Sequence, residues 1–168
     1  TGFLKGEVRK ILESFRDETA QIEISDVNGS YLLLSSDSRS LPSLKLEKYV
    51  ANLLPSLDPY MMGYKDRERY LNPEYYDNIF DRSGNATSNI LLNGEAIGVW
   101  DIAEKPEPLI KLSLFEEVEK AALNDIHIKA KKMGQFIFDK EVQIKECDSM
   151  VPLTRRTAGG VMSPLKEC

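Results

Sequence analysis

Residues that build metal centres and disulfide frameworks are scarce in this sequence. Its 168 residues include two cysteines, Cys147 and Cys168, and one histidine, His127. Two cysteines are too few for a disulfide framework and lack the spacing of a metal site. A single histidine argues against a zinc or non-haem iron centre. We therefore predict no metal site, a buried and inert Cys147, and a surface position for His127.

Long apolar runs and targeting patterns are also missing. No stretch approaches the roughly 18 consecutive apolar residues of a membrane-spanning helix, so no membrane partner is expected. There is no signal-peptide pattern, which makes a cytoplasmic location the expectation. The chain opens at Thr1 without a Met, and we expect from this that an N-terminal part of the protein is not included.

The motifs that bind common cofactors are absent as well. The sequence contains no phosphate loop, dinucleotide fingerprint, zinc-protease helix motif or nucleophile elbow, so we predict no cofactor. The net charge of −5 argues against a surface coated with positive charge but leaves room for one local basic face. Composition is otherwise ordinary for a globular protein, with 42% hydrophobic and 29% charged residues.

The first 45 residues predict one helix followed by a hairpin. Apolar residues at helical spacing predict a helix over residues 7–17. Alternating residues predict strands over 20–24 and 31–34, joined by a turn over 26–30 that carries the hairpin signal Asn28-Gly29. A helix followed by a two-stranded wing is the second half of a winged helix, so we assign residues 1–45 as a winged-helix remnant.

The remaining chain alternates strands and helices of several lengths. The patterns predict strands at 50–57, 87–92, 95–102, 109–115 and 142–147, short helices within 59–69 and 73–80, a hairpin turn at Asn93-Gly94, and a long helix over 116–133 capped by Gly134. We predict an α+β domain over 46–150. It would be a small twisted antiparallel sheet or partly closed β-barrel with one long helix. The tail, 151–168, is expected to be partly disordered.

The densest group of special residues lies between positions 53 and 67. It comprises Leu53-Leu54-Pro55, Asp58, Tyr60, Gly63, Tyr64, Asp66 and Arg67. Together with Asn93-Gly94 and Gly98-Val99-Trp100, this segment resembles the signature of the winged-helix DNA-binding domain family, which includes AlkZ/YcaQ-type DNA glycosylases. The resemblance spans about residues 7–147. It departs from the family pattern at Leu57, where the family has an aromatic residue, and at Met61-Met62.

The resemblance implies a DNA-repair protein of several winged-helix units with a C-terminal β-barrel. Some members excise alkylated or crosslinked bases, using a Gln-aliphatic-Gln or Gln-aliphatic-Asp motif in their N-terminal part. Gln21-Ile22-Glu23 echoes that motif but falls on the predicted wing strand, so we assign it no catalytic role. We predict that this chain binds duplex DNA and is not an active glycosylase alone. The sequence does not indicate an oligomeric state.

Four basic residues are the candidates for phosphate contact: Lys65, Arg67, Arg69 and Arg82. Arginine offers a forked donor to phosphate oxygens. The alternative is a solvated face on which Asp66 and Glu68 balance the charge. Tyr60 and Tyr64, four residues apart, would share a helix face. They could stack on nucleotides or form the edge of the core, which we favour. Trp100 is expected in the core.

Two further functions remain open. The acidic balance is compatible with a non-catalytic scaffold or regulatory module that binds a protein or small ligand. A weaker hypothesis is a hydrolase that uses Asp58 and Asp66, which would require both carboxylates to face one cleft. We expect instead that Asp58 caps the following turn and that Asp66 pairs with Arg67 or Arg69.

Overall fold

The computed structural model describes residues 2–25, 27–45, 48–148, 152–153, 165 and 168. The chain divides into two compact units, Thr1–Leu46 and Glu47–Cys168. Both contain helices and strands, which confirms the predicted α+β class. Most of the predicted tail, 151–168, lies outside the described residues. No helix in the described ranges combines the length and apolar character needed to span a membrane.

The first unit is a helix followed by a hairpin and a short helical segment. Its elements are α1 (Lys5–Ser14), a 3-10 turn (Arg16–Glu18), β1 (Thr19–Ile24), β2 (Val27–Leu34), α2 (Ser35–Ser40) and a second 3-10 turn (Leu41–Ser43). The helix and both strands confirm the predicted elements. Assignment of this unit as a winged-helix remnant stays a prediction.

The predicted hairpin turn at Asn28-Gly29 is wrong. Ile24 pairs with Val27, so the chain reverses before Asn28, and the register shifts between Glu23 and Ile24. Gly29 has a φ of 111°, which a residue without Cβ adopts readily. The Asn-Gly pair therefore forms a bulge inside β2. Asp26, which was predicted to belong to the turn, lies outside the described residues.

The second unit is built on a five-stranded sheet with one long helix. Its elements are β3 (Ala51–Leu54), α3 (Pro59–Met62), a 3-10 turn (Pro73–Tyr75), α4 (Tyr76–Ile79), β4 (Asn89–Leu92), β5 (Glu95–Ala103), β6 (Leu109–Leu114), α5 (Lys120–Phe138) and β7 (Gln143–Glu146). The strands lie in sequence order from β3 to β7.

This sheet is mixed and open, which corrects the prediction of an antiparallel sheet or partly closed barrel. The first four strands pair antiparallel, but β6 and β7 pair parallel. Parallel neighbours need a long crossover, and α5 supplies it. In the described residues β3 pairs only with β4 and β7 only with β6, so the sheet does not close into a barrel.

The turn between β4 and β5 confirms its prediction. Asn93 and Gly94 both have positive φ, 53° and 88°. Two successive residues with positive φ are the requirement of a type I′ turn, whose twist matches that of the flanking strands. The Asn-Gly pair is the residue pair that tolerates this geometry best.

The long helix begins later and ends later than the sequence predicts. It starts after Glu119 rather than at residue 116, and it runs through Gly134 to Phe138. Gly134 is buried, and a Cβ at this position would overlap Val142. The helix ends instead at Asp139, which adopts a φ of 52°. Gly134 is therefore a packing residue rather than a helix cap.

The sheet separates two layers of core. One layer contains Met61, Tyr70, Phe80, Leu91 and Val99, and the other contains Leu53, Ile90, Trp100, Ile110 and Ile126. Consecutive strand residues point to opposite faces, which places Leu91 and Ile90, like Val99 and Trp100, in different layers. Helix α5 covers the second layer, and the segment from α3 to α4 contributes to the first.

Three single-residue predictions have clear outcomes. Trp100 is buried as predicted, and its Nε1 donates a hydrogen bond to the carbonyl oxygen of Leu54 at 2.8 Å. Cys147 is buried, but it is not a free thiol, because it forms a disulfide with Cys168. His127 is half-buried rather than on the surface, with Nε2 at 2.9 Å from Glu146 Oε1. In each case the partner, Cys168 for Cys147 and Glu146 for His127, is distant in sequence.

Candidate nucleic-acid interface

Asp58 and Gly63 define the two ends of α3. Asp58 Oδ1 accepts a hydrogen bond from the backbone N–H of Tyr60 at 2.8 Å, which confirms the predicted cap. The N–H of Gly63 donates to the carbonyl oxygen of Pro59 at 2.8 Å, and a Cβ on Gly63 would lie 2.7 Å from that oxygen. These motif residues therefore shape a single helical turn. Leu57, where the sequence departs from the family pattern, is exposed and has a φ of 61°.

Tyr60 links α3 to the β4–β5 turn. Its ring centroid lies 5.4 Å from that of Tyr70, and its hydroxyl donates to the carbonyl oxygen of Gly94 at 3.3 Å. Tyr60 is half-buried, so it forms the edge of the core. Tyr64 lies beyond the end of α3 and is exposed. The two tyrosines therefore do not share a helix face, although their rings meet edge to face at 6.3 Å.

The hairpin tip is held from its other side by Asn93. The Asn93 side-chain oxygen accepts from the N–H of Val50 at 2.8 Å, and its backbone N–H donates to the carbonyl oxygen of Val50 at 2.9 Å. Its side-chain amide also donates to the carbonyl oxygen of Lys48 at 3.3 Å. Asn93 and Gly94 thus hold the residues that precede β3 and Tyr60 of α3 to the β4–β5 turn.

Arg67 is directed into the protein rather than toward solvent. Its Nη1 donates to the hydroxyl of Tyr76 at 2.6 Å, and its Nη2 donates to the carbonyl oxygen of Gly84 at 3.3 Å. The guanidinium carbon lies 3.6 Å from the ring centroid of Phe80, a favourable cation–π distance. Arg67 therefore joins the 65–71 segment to residues 76–84.

Tyr70 lies beneath this junction. It is buried, and its hydroxyl donates to the carbonyl oxygen of Met61 at 2.9 Å. Burial raises the pKa of Tyr70, and the positive charge of Arg67 nearby opposes that increase. The phenol therefore stays neutral and serves as a hydrogen-bond donor at ordinary pH.

The loop after α4 is organised by Asp81. Its Oδ1 accepts from the N–H groups of Ser83 and Asn85 at 2.8 and 2.9 Å, and Oδ2 accepts from Asn85 Nδ2 at 3.0 Å. The backbone hydrogen bond from Asn85, followed by the other donors, lowers the pKa of the Asp81 carboxyl. Gly84 has a φ of 80°. This closed loop carries Arg82, which is exposed.

The four predicted basic residues therefore occupy two segments that Arg67 ties together. Lys65 and Arg69 flank Arg67 on one segment, and Arg82 lies two residues before Gly84 on the other. Lys65, Arg69 and Arg82 are exposed, whereas Arg67 is half-buried. The Arg69 guanidinium lies 4.4 Å from the ring centroid of Tyr64. Arg67 links the two segments that carry these residues; their assignment to phosphate contact stays a prediction.

The candidate acids have local structural roles. Asp66 Oδ1 accepts a hydrogen bond from the backbone N–H of Glu68 at 3.2 Å, so it closes a turn, as Asp58 caps α3. Of the two predicted partners of Asp66, Arg67 or Arg69, Arg67 instead donates its hydrogen bonds to Tyr76 and Gly84. Gln21-Ile22-Glu23 lies within β1, paired with β2, with Gln21 and Glu23 exposed.

Sequence reasoning missed the partners of Arg67. Tyr76 and Gly84 lie 9 and 17 residues away, and no periodicity connects them to Arg67. The Asp-x-Ser-Gly-Asn stretch at 81–85 did carry a signal, because Asp, Gly and Asn are residues that form tight turns. That composition indicates an ordered loop without indicating what anchors it.

Comparison with known proteins adds a family and a fold. The family described as "DNA glycosylase AlkZ-like" matches residues 1–136. The solved structure of the Streptomyces sahachiroi DNA glycosylase AlkZ is similar, with a TM-score of 0.65 and 17% sequence identity, over 86% of this chain and 38% of that one. At that identity the likeness concerns the fold alone. This chain spans well under half of that relative. No curated protein matches.

Proposed function

Because the chain belongs to the AlkZ-like DNA glycosylase family, we propose that it binds duplex DNA within a repair glycosylase-like protein of the cytoplasm. In this proposal the chain contributes binding and not catalysis. The observation that supports it is the internal anchoring of Arg67, which joins the two segments that carry the exposed residues Lys65, Arg69 and Arg82. Family membership supports DNA as the ligand.

The three exposed cations are proposed to contact backbone phosphates. Lysine and arginine contacts to phosphate fix the register of a protein on DNA without reading its sequence. Each neutralised phosphate contributes about −0.9 to the slope of log affinity against log salt. Three contacts would therefore contribute a slope of about −3. The adjacent Asp66 and Glu68 keep the local charge low, so we expect weak binding from this segment.

The absence of catalysis is proposed from the chemistry that base excision needs. A glycosylase must extrude a base and place a water or general base against the sugar carbon. Asp58 and Asp66 accept hydrogen bonds from their own turns. Gln21 and Glu23 lie on a paired strand rather than in a base pocket. These positions support the proposal that the chain alone does not catalyse base excision.

Fluorescence anisotropy with a labelled duplex at low salt tests the proposal. We expect Arg69→Gln/Arg82→Gln to weaken binding and to flatten its salt dependence. The matched control is Lys120→Gln/Lys145→Gln, which removes the same charge from two exposed positions elsewhere in the second unit. Equal weakening by both pairs would mean that only net charge matters. Absence of duplex binding by the unaltered chain would contradict the proposal.

A second candidate, a protein-binding scaffold, is favoured by α1. None of its residues is buried. Its apolar stripe, Val8, Ile11, Leu12 and Phe15, is 41–45% exposed. Contiguous exposed apolar surface is typical of protein interaction sites. This candidate predicts no duplex binding at low salt, and a loss of partner binding when Ile11 and Phe15 are replaced by Ser.

A further inference from the structure

Helix α5 presents one aromatic side chain almost wholly to solvent. Its buried stripe consists of Ala122, Ile126, Ala130 and Gly134. Phe136 follows Gly134 by two residues, which rotates it about 200° around a helix of 3.6 residues per turn. It is 86% exposed, the highest value among the large apolar side chains that the structure describes. The packing of Gly134 against Val142 therefore holds Phe136 outward.

Phe136 borders a groove between α5 and the edge of the sheet. The groove encloses about 390 Å³ and is lined by Ala51, Asn52, Leu53, Lys129, Lys132, Met133 and Phe136. Residues three and four apart on a helix are neighbours, so Lys132 and Met133 lie next to Phe136. Strand β3 pairs with β4 alone among the described strands. Ala51, Leu53 and Met133 make the floor of the groove apolar. The ammonium groups of Lys129 and Lys132 lie on its helical side.

Positive charge predominates on the helical side of the groove. Residues 128–138 contain three lysines and no acidic residue, in a chain whose net charge is −5. Asp125 lies one helical turn before Lys129, and its carboxylate accepts a hydrogen bond from the N–H of the groove-lining Ala51 at 3.2 Å, so that carboxylate already has a partner inside the protein. Asp139 ends the helix. A ligand that matches this surface carries negative charge and also a flat apolar face.

We propose that this groove binds an unpaired DNA strand, with a base stacked on Phe136 and neighbouring phosphates on Lys129 and Lys132. Every nucleobase has a π-face that stacks on an aromatic ring, and lysines follow the backbone electrostatically. A protruding ring needs a base that is not already stacked on both sides, which favours a single strand over an intact duplex. The inference deepens the proposed function and rests on it for the choice of DNA.

Replacing Phe136 by Trp introduces a fluorescent probe at the groove. The natural Trp100 is buried, so a new indole at position 136 reports on the groove. Fluorescence of Phe136→Trp in the full chain is titrated with a 12-nucleotide oligothymidine. Stacking of a base should quench the new emission. Phe136→Ala and Lys129→Gln/Lys132→Gln should each weaken oligothymidine binding about tenfold, since base stacking and phosphate contacts are of that size.

Two controls separate the groove from general effects. Ile137→Ala alters the adjacent, partly exposed side chain, and Lys120→Gln/Lys145→Gln removes equal charge elsewhere. Both should leave oligothymidine affinity unchanged. Far-ultraviolet circular dichroism of each variant verifies that α5 is retained. Polyglutamate serves as the probe for an acidic protein partner.

The outcomes distinguish this inference from the proposed function. Quenching that persists in the Arg69→Gln/Arg82→Gln background, where duplex binding is weakened, supports the groove. Duplex binding with no quenching and no effect of Phe136→Ala overturns the groove and leaves the proposed function intact. If polyglutamate quenches the emission as strongly as oligothymidine does, the groove binds acidic protein, and the inference that it binds a DNA strand is overturned. Failure to bind any DNA overturns both.

Discussion

Arg67 and Gly84 are joined by a hydrogen bond of 3.3 Å from guanidinium Nη2 to a backbone carbonyl oxygen. The pair fixes the Arg82 loop to the segment that carries Lys65 and Arg69. A planar guanidinium can stack on Phe80 and donate in two directions at once, which an ammonium group cannot do. The arrangement therefore depends on arginine itself and not on positive charge alone.

Arg67→Lys should destabilise the second unit by about 1–3 kcal/mol, since hydrogen bonds to charged groups and the ring contact are lost. Chemical denaturation followed by circular dichroism measures the change. Arg82→Lys, at an exposed position in the same loop, is the matched control and should leave the free energy of unfolding nearly unchanged. Equal stability of both variants would show that Arg67 does not anchor the loop.

Gly134→Ala should destabilise the protein although it lies within a helix. Helix propensity favours Ala over Gly by about 1 kcal/mol. The added Cβ would overlap Val142, and overpacking of a core costs about 1–3 kcal/mol. Thermal unfolding measures the net effect.

The same substitution in a Val142→Ala background provides the control for that prediction. The shorter side chain makes room for the Cβ, so Gly134→Ala should there be neutral or stabilising. A destabilisation of equal size in both backgrounds would mean that Val142 is not what excludes a side chain at position 134.

Asp81 should make stability depend on pH in the acidic range. Because its folded-state pKa is lowered, its contribution is present above the ordinary aspartate pKa of about 3.9 and is lost as pH falls through the folded value. The melting temperature of Asp81→Asn should therefore fall less on acidification than that of the unaltered chain. If the melting temperatures of the two proteins fall in parallel from pH 7 to pH 2.5, the hydrogen bonds of Asp81 in this loop do not contribute to the pH dependence.

The chain alone should not release bases from DNA. Its candidate carboxylates, Asp58 and Asp66, are used by local turns. A glycosylase assay on duplexes that contain alkylated or crosslinked bases measures this, with abasic sites detected by strand cleavage. Release of a base by this chain would contradict the proposal and direct attention to Gln21 and Glu23, whose Ala variants should then abolish it.

Much of the fold was predictable where local chemistry decides it. Apolar spacing predicted α1, and the Asn93-Gly94 pair predicted a type I′ turn. Asp58 was correctly predicted to cap the following turn, and Asn72, which also precedes a Pro, caps the 3-10 turn over Pro73–Tyr75 in the same way. Each of these features depends on residues within a few positions of each other. A local sequence pattern therefore includes all the residues that determine it.

The errors arose where a distant residue decides. Gly134 reads as a helix cap, but Val142 determines its role. Asn28-Gly29 reads as a turn, but the pairing of Ile24 with Val27 places the reversal earlier. The inward direction of Arg67 depends on Tyr76 and Gly84, which are distant in sequence. Local rules cannot specify contacts that only the folded chain creates.

Because the core has two layers, β5 should tolerate almost no insertion or deletion. Val99 and Trp100 are neighbours in sequence yet belong to different layers. Inserting one residue ahead of them would exchange their sides, expelling the indole from beneath α5 and depriving Leu54 of its donor. Natural or engineered length variation should therefore concentrate in the connection between β5 and β6, where an extra residue moves no side chain from one side of the sheet to the other.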